Sequence, residues 1–240
     1  MFKHSLFLLQ ANSPLKREVS LLRAYLFNEA CQQGSMGNLF EFPGCVPVGS
    51  VEFVKAYAMI HGISLPFIET YPNALRKFCN REITKGIFGE VKDYQFVKPV
   101  HTKLFTGGIK SSIEEFISDD VEVFSCDPVS FTIEYRFYIL GGKILGYGRY
   151  DCLDVDDKEI ISLASWIKLQ NLIAVMIDEF KDAPIGYTLD VGLMDGKWSL
   201  VEVNDGWAIG FYNDRESMSI FNYAMLITFR WLEISCCNVS

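Results

Sequence analysis

The sequence predicts an α+β protein, and three patterns carry that prediction. Residues 130–150 and 187–204 each alternate apolar and polar side chains around one turn signal, Gly141-Gly142 and Asp195-Gly196, so each reads as an antiparallel hairpin. A helical run of apolar residues lies between them: Ile160, Leu163, Ile167, Ile173, Met176, Ile177 and Phe180. The first 70 residues alternate strand and helix patterns, forming a small α/β unit ahead of the hairpins. The expected division is a small α/β domain over 1–72 and a larger α+β domain over 73–240, with subdomains of about 73–125 and 126–240.

In order, residues 5–10 are an apolar strand. Ser13-Pro14 opens a helix reaching about Gln33 and stopped by Gly34, and a turn-rich segment runs to Pro47. Ser50 caps a helix over 51–61 that Gly62 ends, and 64–69 is a short strand. A short helix over 73–80 precedes strands at 83–88 and 94–100, punctuated by Gly86 and Gly89. A glycine-containing loop, a helix over 111–117 and a strand over 121–125 follow, ending at Cys126-Asp127-Pro128. After the first hairpin, Asp156 or Asp157 caps the long helix to about Lys181, and a last helix spans about 214–234.

Half of the 240 residues are hydrophobic and the net charge is −8, a globular composition. With 22 basic against 30 acidic residues there is no broad basic face for long nucleic acid, although one nucleotide needs only a local pocket. Seven cysteines without a paired metal spacing read as reduced cytosolic thiols. The apolar stretches 5–10 and 223–232 are too short to serve as a signal core or to span a bilayer, so a cytoplasmic protein with no membrane partner is expected.

Candidate chemistry concentrates on the hairpin faces. Alternation puts Asp190, Glu202 and Asn204 opposite the apolar set Leu189, Val191, Val201 and Val203. Two carboxylates and an amide make an oxygen-only site suited to Mg²⁺ or Mn²⁺. A two-residue turn at Asp195-Gly196 would pair Asp190 with Val201 and send Glu202 to the other face. A bulged three-residue loop over 194–196 pairs Asp190 with Leu200 and keeps Glu202 as its diagonal neighbour, and this register is the one expected. The plainer reading is a solvated hairpin with surface acids.

In the other hairpin a two-residue glycine turn pairs Arg136 with Tyr147 and Glu134 with Arg149. Glu134, Arg136, Tyr138 and Arg149 then share a face that is either an anion site or a cross-strand ion pair worth under about 1 kcal/mol. Lys98, at the end of the apolar strand FVKPV, is either a phosphate contact or a snorkelling lysine. The loop after it, 103–109, can present backbone N–H groups to phosphate but has no GxxxxGK pattern.

The order of these pieces resembles the ATP-grasp superfamily. The carrying residues are Lys98 in VKPV, the hinge VEVFSCDPV, Arg136 in EYRFYI, Asp190 in LDVG, and Glu202 with Asn204 in EVN. FTIEYRFYILGGKILGYGRY is similar to the clade named for two arginines and a lysine, which are matched to Arg136, Arg149 and Lys98. The resemblance covers about 73–212; before it, only GSVEFV at 49–54 is similar. Cys126-Asp127 stands where the family has a hinge glutamate.

The resemblance implies two α+β subdomains clasping ATP behind a small pre-ATP-grasp domain. Lys98, Lys103, Thr106, Gly107 and Gly108 would contact phosphates. Val123, Phe124, Ser125, Asp127, Val129 and Glu134 would hold adenosine. Asp190, Glu202 and Asn204 would hold Mg²⁺ or Mn²⁺. Arg136, Arg149 and Lys98 would serve catalysis. The implied activity is ATP-dependent activation of a carboxylate as an acyl phosphate and its ligation to an amine on an amino acid, peptide or protein. An ATP-grasp phosphotransferase and an ATP-binding module without turnover are the alternatives. His101, near Lys98, is expected to make a local loop contact. Asp190→Asn is expected to weaken metal-dependent turnover and leave the fold intact.

Overall fold

The computed structural model describes residues 6–12, 17–26, 30–101, 103–114, 116–151, 161–213 and 217–237. Among these residues the architecture is α+β, with three separate sheets.

The first sheet is parallel, ordered β2-β1-β3, from β1 (Phe7–Gln10), β2 (Cys31–Gly34) and β3 (Val46–Val48). Helix α1 (Arg17–Tyr25) connects β1 to β2, and α2 (Val51–Ile60) follows β3. The Ser50 cap holds as expected, its hydroxyl accepting from the Phe53 N–H at 3.2 Å. The helix expected to reach Gln33 instead ends at Tyr25 within the described residues, and Cys31–Gly34 is a strand. Gly34 is no helix stop; it pairs with Gln10, where a Cβ would press on the Leu8 side chain at 2.9 Å. The expected strand over 64–69 is absent: Pro66 has no N–H to give a ladder, and Glu69 makes one isolated bridge to His101. His101 stacks on Phe67 at 3.6 Å, a local contact as expected.

The second sheet, antiparallel β4-β7-β5-β6, comprises β4 (Thr84–Ile87), β5 (Phe96–Pro99), β6 (Gly108–Ile109) and β7 (Glu122–Cys126). A 3-10 helix, Asn73–Cys79, precedes it. The helix expected over 111–117 is only a 3-10 turn at Lys110–Ser112 among the described residues.

The third sheet, antiparallel β11-β10-β8-β9, joins the hairpin β8 (Ile133–Leu140) and β9 (Lys143–Arg149) to the hairpin β10 (Gly186–Met194) and β11 (Lys197–Asp205). Helix α3 (Leu163–Glu179) is capped by Ser162; the expected caps Asp156 and Asp157 lie outside the described residues. Helix α4 (Ile220–Cys237) closes the described chain.

The cores follow the strand faces. Tyr135, Phe137 and Ile139 of β8 point toward α3 and pack with Leu169, Ile173 and Met176. Tyr138, on the other face, joins the core of the first sheet, which also takes Tyr223, Leu226, Ile227 and Trp231 of α4. None of the described helices is long and apolar enough to cross a membrane.

Both hairpins depart from the expected registers. Asp195 and Gly196 have φ of 50° and 73°, so the turn has two residues, with Met194 opposite Lys197. The bulge lies further along: Val191 opposes Leu200, Asp190 opposes Glu202, and Val201 is the extra residue. Asp190 therefore faces Glu202 directly, not Leu200. In the first hairpin, Gly141 and Gly142 also form a two-residue turn, but a shift at Tyr138/Ile139 pairs Arg136 with Gly148 and Tyr135 with Arg149. Arg149 lies on the Tyr135 face, not on the Arg136 face expected for it.

Candidate functional site

Strand alternation brings the site together. Lys98 points away from the buried Val97 and meets β11, where its Nζ pairs with Glu202 Oε2. Asn204 Nδ2 donates to Glu202 Oε1 at 3.1 Å and to Asp190 Oδ2 at 3.3 Å. Arg136 grips Asp190 with both prongs, Nε to Oδ1 at 2.8 Å and Nη2 to Oδ2 at 2.6 Å. The result is a continuous run, Lys98–Glu202–Asn204–Asp190–Arg136, drawn from four strands. Asp190 is fully buried and its charge is met by Arg136, so it is not a surface acid.

Two cavities share this wall. One, of about 340 Å³, is lined by Phe96, Ile109, Val129, Phe131 and Val201, with Arg81, Glu134 and Tyr150 as polar members. The other, of about 240 Å³, has Thr70, Lys103, Thr106, Gly107 and Asn204 in its walls. Lys98 and Glu202 line both. A cavity with many apolar walls meeting one that carries Lys103, Thr106 and Gly107, at a lysine–carboxylate wall, suits a base on one side and anionic oxygens on the other.

The loop between β5 and β6 lies down on Lys98. A Cβ at Gly107 would strike the Lys98 side chain, so glycine permits the approach. Lys103, at φ 67°, donates to the Asp205 carbonyl at 2.9 Å and sits 3.8 Å over the Trp207 ring. Burial pushes the Lys103 amine down to about 7, against the pull of Asp205. It pushes Lys98 down to about 8, with Asp190 opposing.

The expected adenosine contacts divide. Val129 and Glu134 line the larger cavity, together with Cys126 and Pro128. Val123, Phe124 and Ser125 are buried inside β7, with Phe124 set against the Tyr71 ring at 5.3 Å. The exposed Asp127 and the β6 residue Gly108 do not line either cavity. Glu134 accepts from the Tyr150 hydroxyl at 2.9 Å, and burial raises its pKa.

Arg149 is bonded to Asp151, Nε to Oδ1 at 2.7 Å and Nη2 to Oδ2 at 2.8 Å, and Asp151 in turn accepts from the Glu134 N–H at 3.1 Å. It braces the strand that carries Glu134 and Arg136. In its place beside Arg136 stand Tyr150 and Tyr212, whose ring centroids lie 5.8 and 5.3 Å from the guanidinium. The backbone of Tyr212 reaches this position because Gly148 has no Cβ to meet it. Sequence reasoning missed Tyr150, Tyr212 and Arg81; the only local signal was the glycine pair in LGYGRY, which marks a chain crossing close over β9.

The donor set Asp190, Glu202 and Asn204 fits a hard divalent cation, since every available ligand atom is oxygen. Among the described residues no three His, Cys, Asp or Glu side chains converge on a metal position, and Asn204 turns its Nδ2 toward both carboxylates.

A family model matches residues 41–225; it describes an ATP-grasp domain, family 3 of the clade named for two arginines and a lysine. No curated protein matches the chain in sequence. The structure of this chain is similar to D-alanine–D-alanine ligase from Bacillus anthracis complexed with ATP, with a TM-score of 0.50 and 13% identity over 95% of this chain and 97% of that one. It is also similar to N5-carboxyaminoimidazole synthase from Aspergillus clavatus in complex with ADP and an aminoimidazole ribonucleotide, with a TM-score of 0.47 and 12% identity over 94% and 77% of the two chains. At 13% identity the first of these likenesses concerns the fold alone.

Proposed function

Because this chain belongs to family 3 of the two-arginine, one-lysine clade of ATP-grasp domains, we propose that it is an ATP- and Mg²⁺-dependent ligase joining a carboxylate to an amine. The observation that carries this reading is the run Lys98–Glu202–Asn204–Asp190–Arg136 on the wall between two cavities. The apolar cavity takes the adenine, with Glu134 at its polar end. Lys98, Lys103 and the Thr106–Gly107 backbone take the phosphates. Asp190, Glu202 and Asn204 would hold Mg²⁺, which supplies neutralising charge to the phosphate oxygens.

In the first step an oxygen of the substrate carboxylate attacks the γ-phosphorus. The bond to the bridging oxygen breaks, and ADP and an acyl phosphate result. Lys98 offsets charge growing on the departing phosphate. In the second step an amine nitrogen attacks the acyl carbon, inorganic phosphate leaves, and the amine proton is lost to solvent. Arg136 stabilises the oxyanion formed in between. To do so it must give up Asp190, whose two oxygens it holds at 2.8 and 2.6 Å.

One observation favours a different reading. Both Asp190 oxygens are already taken by Arg136, as in a module that binds ATP without turning it over. Thermal unfolding with ATP, in Mg²⁺ and then in EDTA, tests binding. Ligand at a hundredfold its Kd adds roughly 2.7 kcal/mol, about 5–10 °C for a chain of this size. ADP and an amide with released phosphate, from a panel of carboxylates and amines, support the ligase. A stable phosphoester means a phosphotransferase, and a Mg²⁺-dependent shift with no ADP means a binding module.

A further inference from the structure

Asp190 opposes Glu202 only because Val201 is left out of the ladder. With the observed two-residue turn and no bulge, Asp190 would face Val201 and Glu202 would turn to the opposite face. A bulge frees backbone groups and needs a reason to stay where it is. β11 is an edge strand, so its outer backbone groups have no neighbouring strand.

Those outer groups are met by the segment preceding β4. Asn80 Nδ2 donates to the Trp198 carbonyl at 3.1 Å. Arg81 Nη1 donates to the Leu200 carbonyl at 2.9 Å, and its Nη2 to the Val201 carbonyl at 3.3 Å. The Thr70 carbonyl accepts from the Val203 N–H at 3.0 Å. In a regular strand every second residue points outward. Here the outward positions run 198, 200 and then 203, and the change of parity falls where the guanidinium fork spans two consecutive carbonyls. A planar fork presents two donors at a fixed spacing to the two carbonyls, whereas an apolar group presents none.

We propose that Arg81 is a positioning residue for the cation site: by clamping the Leu200 and Val201 carbonyls it fixes the bulge that holds Glu202 opposite Asp190. The inference rests on the reading of Asp190, Glu202 and Asn204 as metal ligands. The clamp itself is a matter of strand register and is tested separately.

The experiment uses the full chain in four forms: wild type, Arg81→Met, a Val201 deletion, and the deletion combined with Arg81→Met. Register is read from cross-strand NOEs in labelled protein, and cation binding from the electron paramagnetic resonance of Mn²⁺ titrated with ATP present. Arg81→Met should lose the Leu189–Val203 contacts and pair Leu189 with Glu202. Its Mn²⁺ affinity should fall about tenfold or more, as for loss of a group that orients a ligand. Deleting Val201 removes the extra residue, so the two-residue turn alone places Glu202 opposite Asp190. In that background Arg81→Met should leave the Leu189–Val203 contacts in place, because no bulge remains for Arg81 to hold.

Retention of the Leu189–Val203 contacts and of Mn²⁺ affinity in Arg81→Met, with only a lower Tm, overturns the proposal. Failure of Arg81→Met to fold with and without Val201 overturns it as well, because the bulge is then not what Arg81 serves. Folding restored by the deletion supports it. If wild type binds no Mn²⁺ with ATP, the ligase reading falls, and the NOE pattern alone decides whether Arg81 sets the register.

Discussion

The two hairpins of the third sheet are built alike and end differently. Each turns on two residues with positive φ, and each carries one bulge before the strands reach the site. In β10–β11 the extra residue, Val201, carries Glu202 onto the face of Asp190. In β8–β9 the shift at Tyr138/Ile139 carries Arg149 away from the face of Arg136. One device thus adds a carboxylate to the site and removes a guanidinium from it. A register counted outward from a turn is sound only as far as the first bulge, and chemistry beyond that point depends on what fixes the bulge.

The largest expected effect distinguishes the two bidentate pairs. Asp190→Asn should reduce metal-dependent turnover about a hundredfold or more, the upper range for disturbing a metal site. It should also destabilise the fold by about 3 kcal/mol, because Arg136 loses the charge that offsets its burial. This revises the expectation of an intact fold, which assumed a solvated cleft. Arg149→Met should cost a similar amount, about 3 kcal/mol by denaturant unfolding, by stranding the largely buried Asp151 carboxylate, but leave the KM for ATP unchanged. A large rise in that KM would return Arg149 to the site.

Next comes Gly148→Ala. Its new methyl group meets the Tyr212 backbone, and overpacking of this kind costs about 1–3 kcal/mol. Because Tyr212 moves off Arg136, turnover should fall more than ATP affinity; equal losses would mean that Tyr212 packs there without guiding Arg136.

The last effect concerns pH. The amine of Lys103 titrates at about 7 in the fold, below its ordinary 10.5, so the unfolded chain holds more protons between those values. Stability of wild type relative to Lys103→Met should therefore be flat below about pH 7 and rise toward pH 10. Phosphate arriving beside Lys103 restores its charge, so ATP binding near pH 8 should take up a proton. Calorimetry in two buffers of different ionisation heat reads that uptake directly, and zero uptake would remove Lys103 from the phosphate contacts.

What was legible in the sequence was local. The Ser50 cap, the two-residue Gly141-Gly142 turn, and the exclusion of Lys98 from its strand's apolar face all follow from neighbours within a few residues. The register of Glu202 was not local, because it is held by Arg81, more than a hundred positions away, through backbone carbonyls that leave no mark in sequence. Cys31–Gly34 misled for a related reason. Four residues with two exposed glutamines carry almost no strand signal, and only pairing with β1 makes them one. Tyr212 reaches Arg136 by lying over Gly148, a contact that no periodicity announces.

The sharing of one core by β1–β3 and α4 has a consequence for biosynthesis. Phe7, Leu8 and Leu9 are made long before Tyr223, Leu226, Ile227 and Trp231, with which they share their core. At ordinary elongation rates of about 5–20 residues per second, the ribosome delivers those partners roughly 10–40 seconds later. During that interval the nascent parallel sheet has an uncovered apolar side, which makes it a natural client for a chaperone waiting at the exit tunnel.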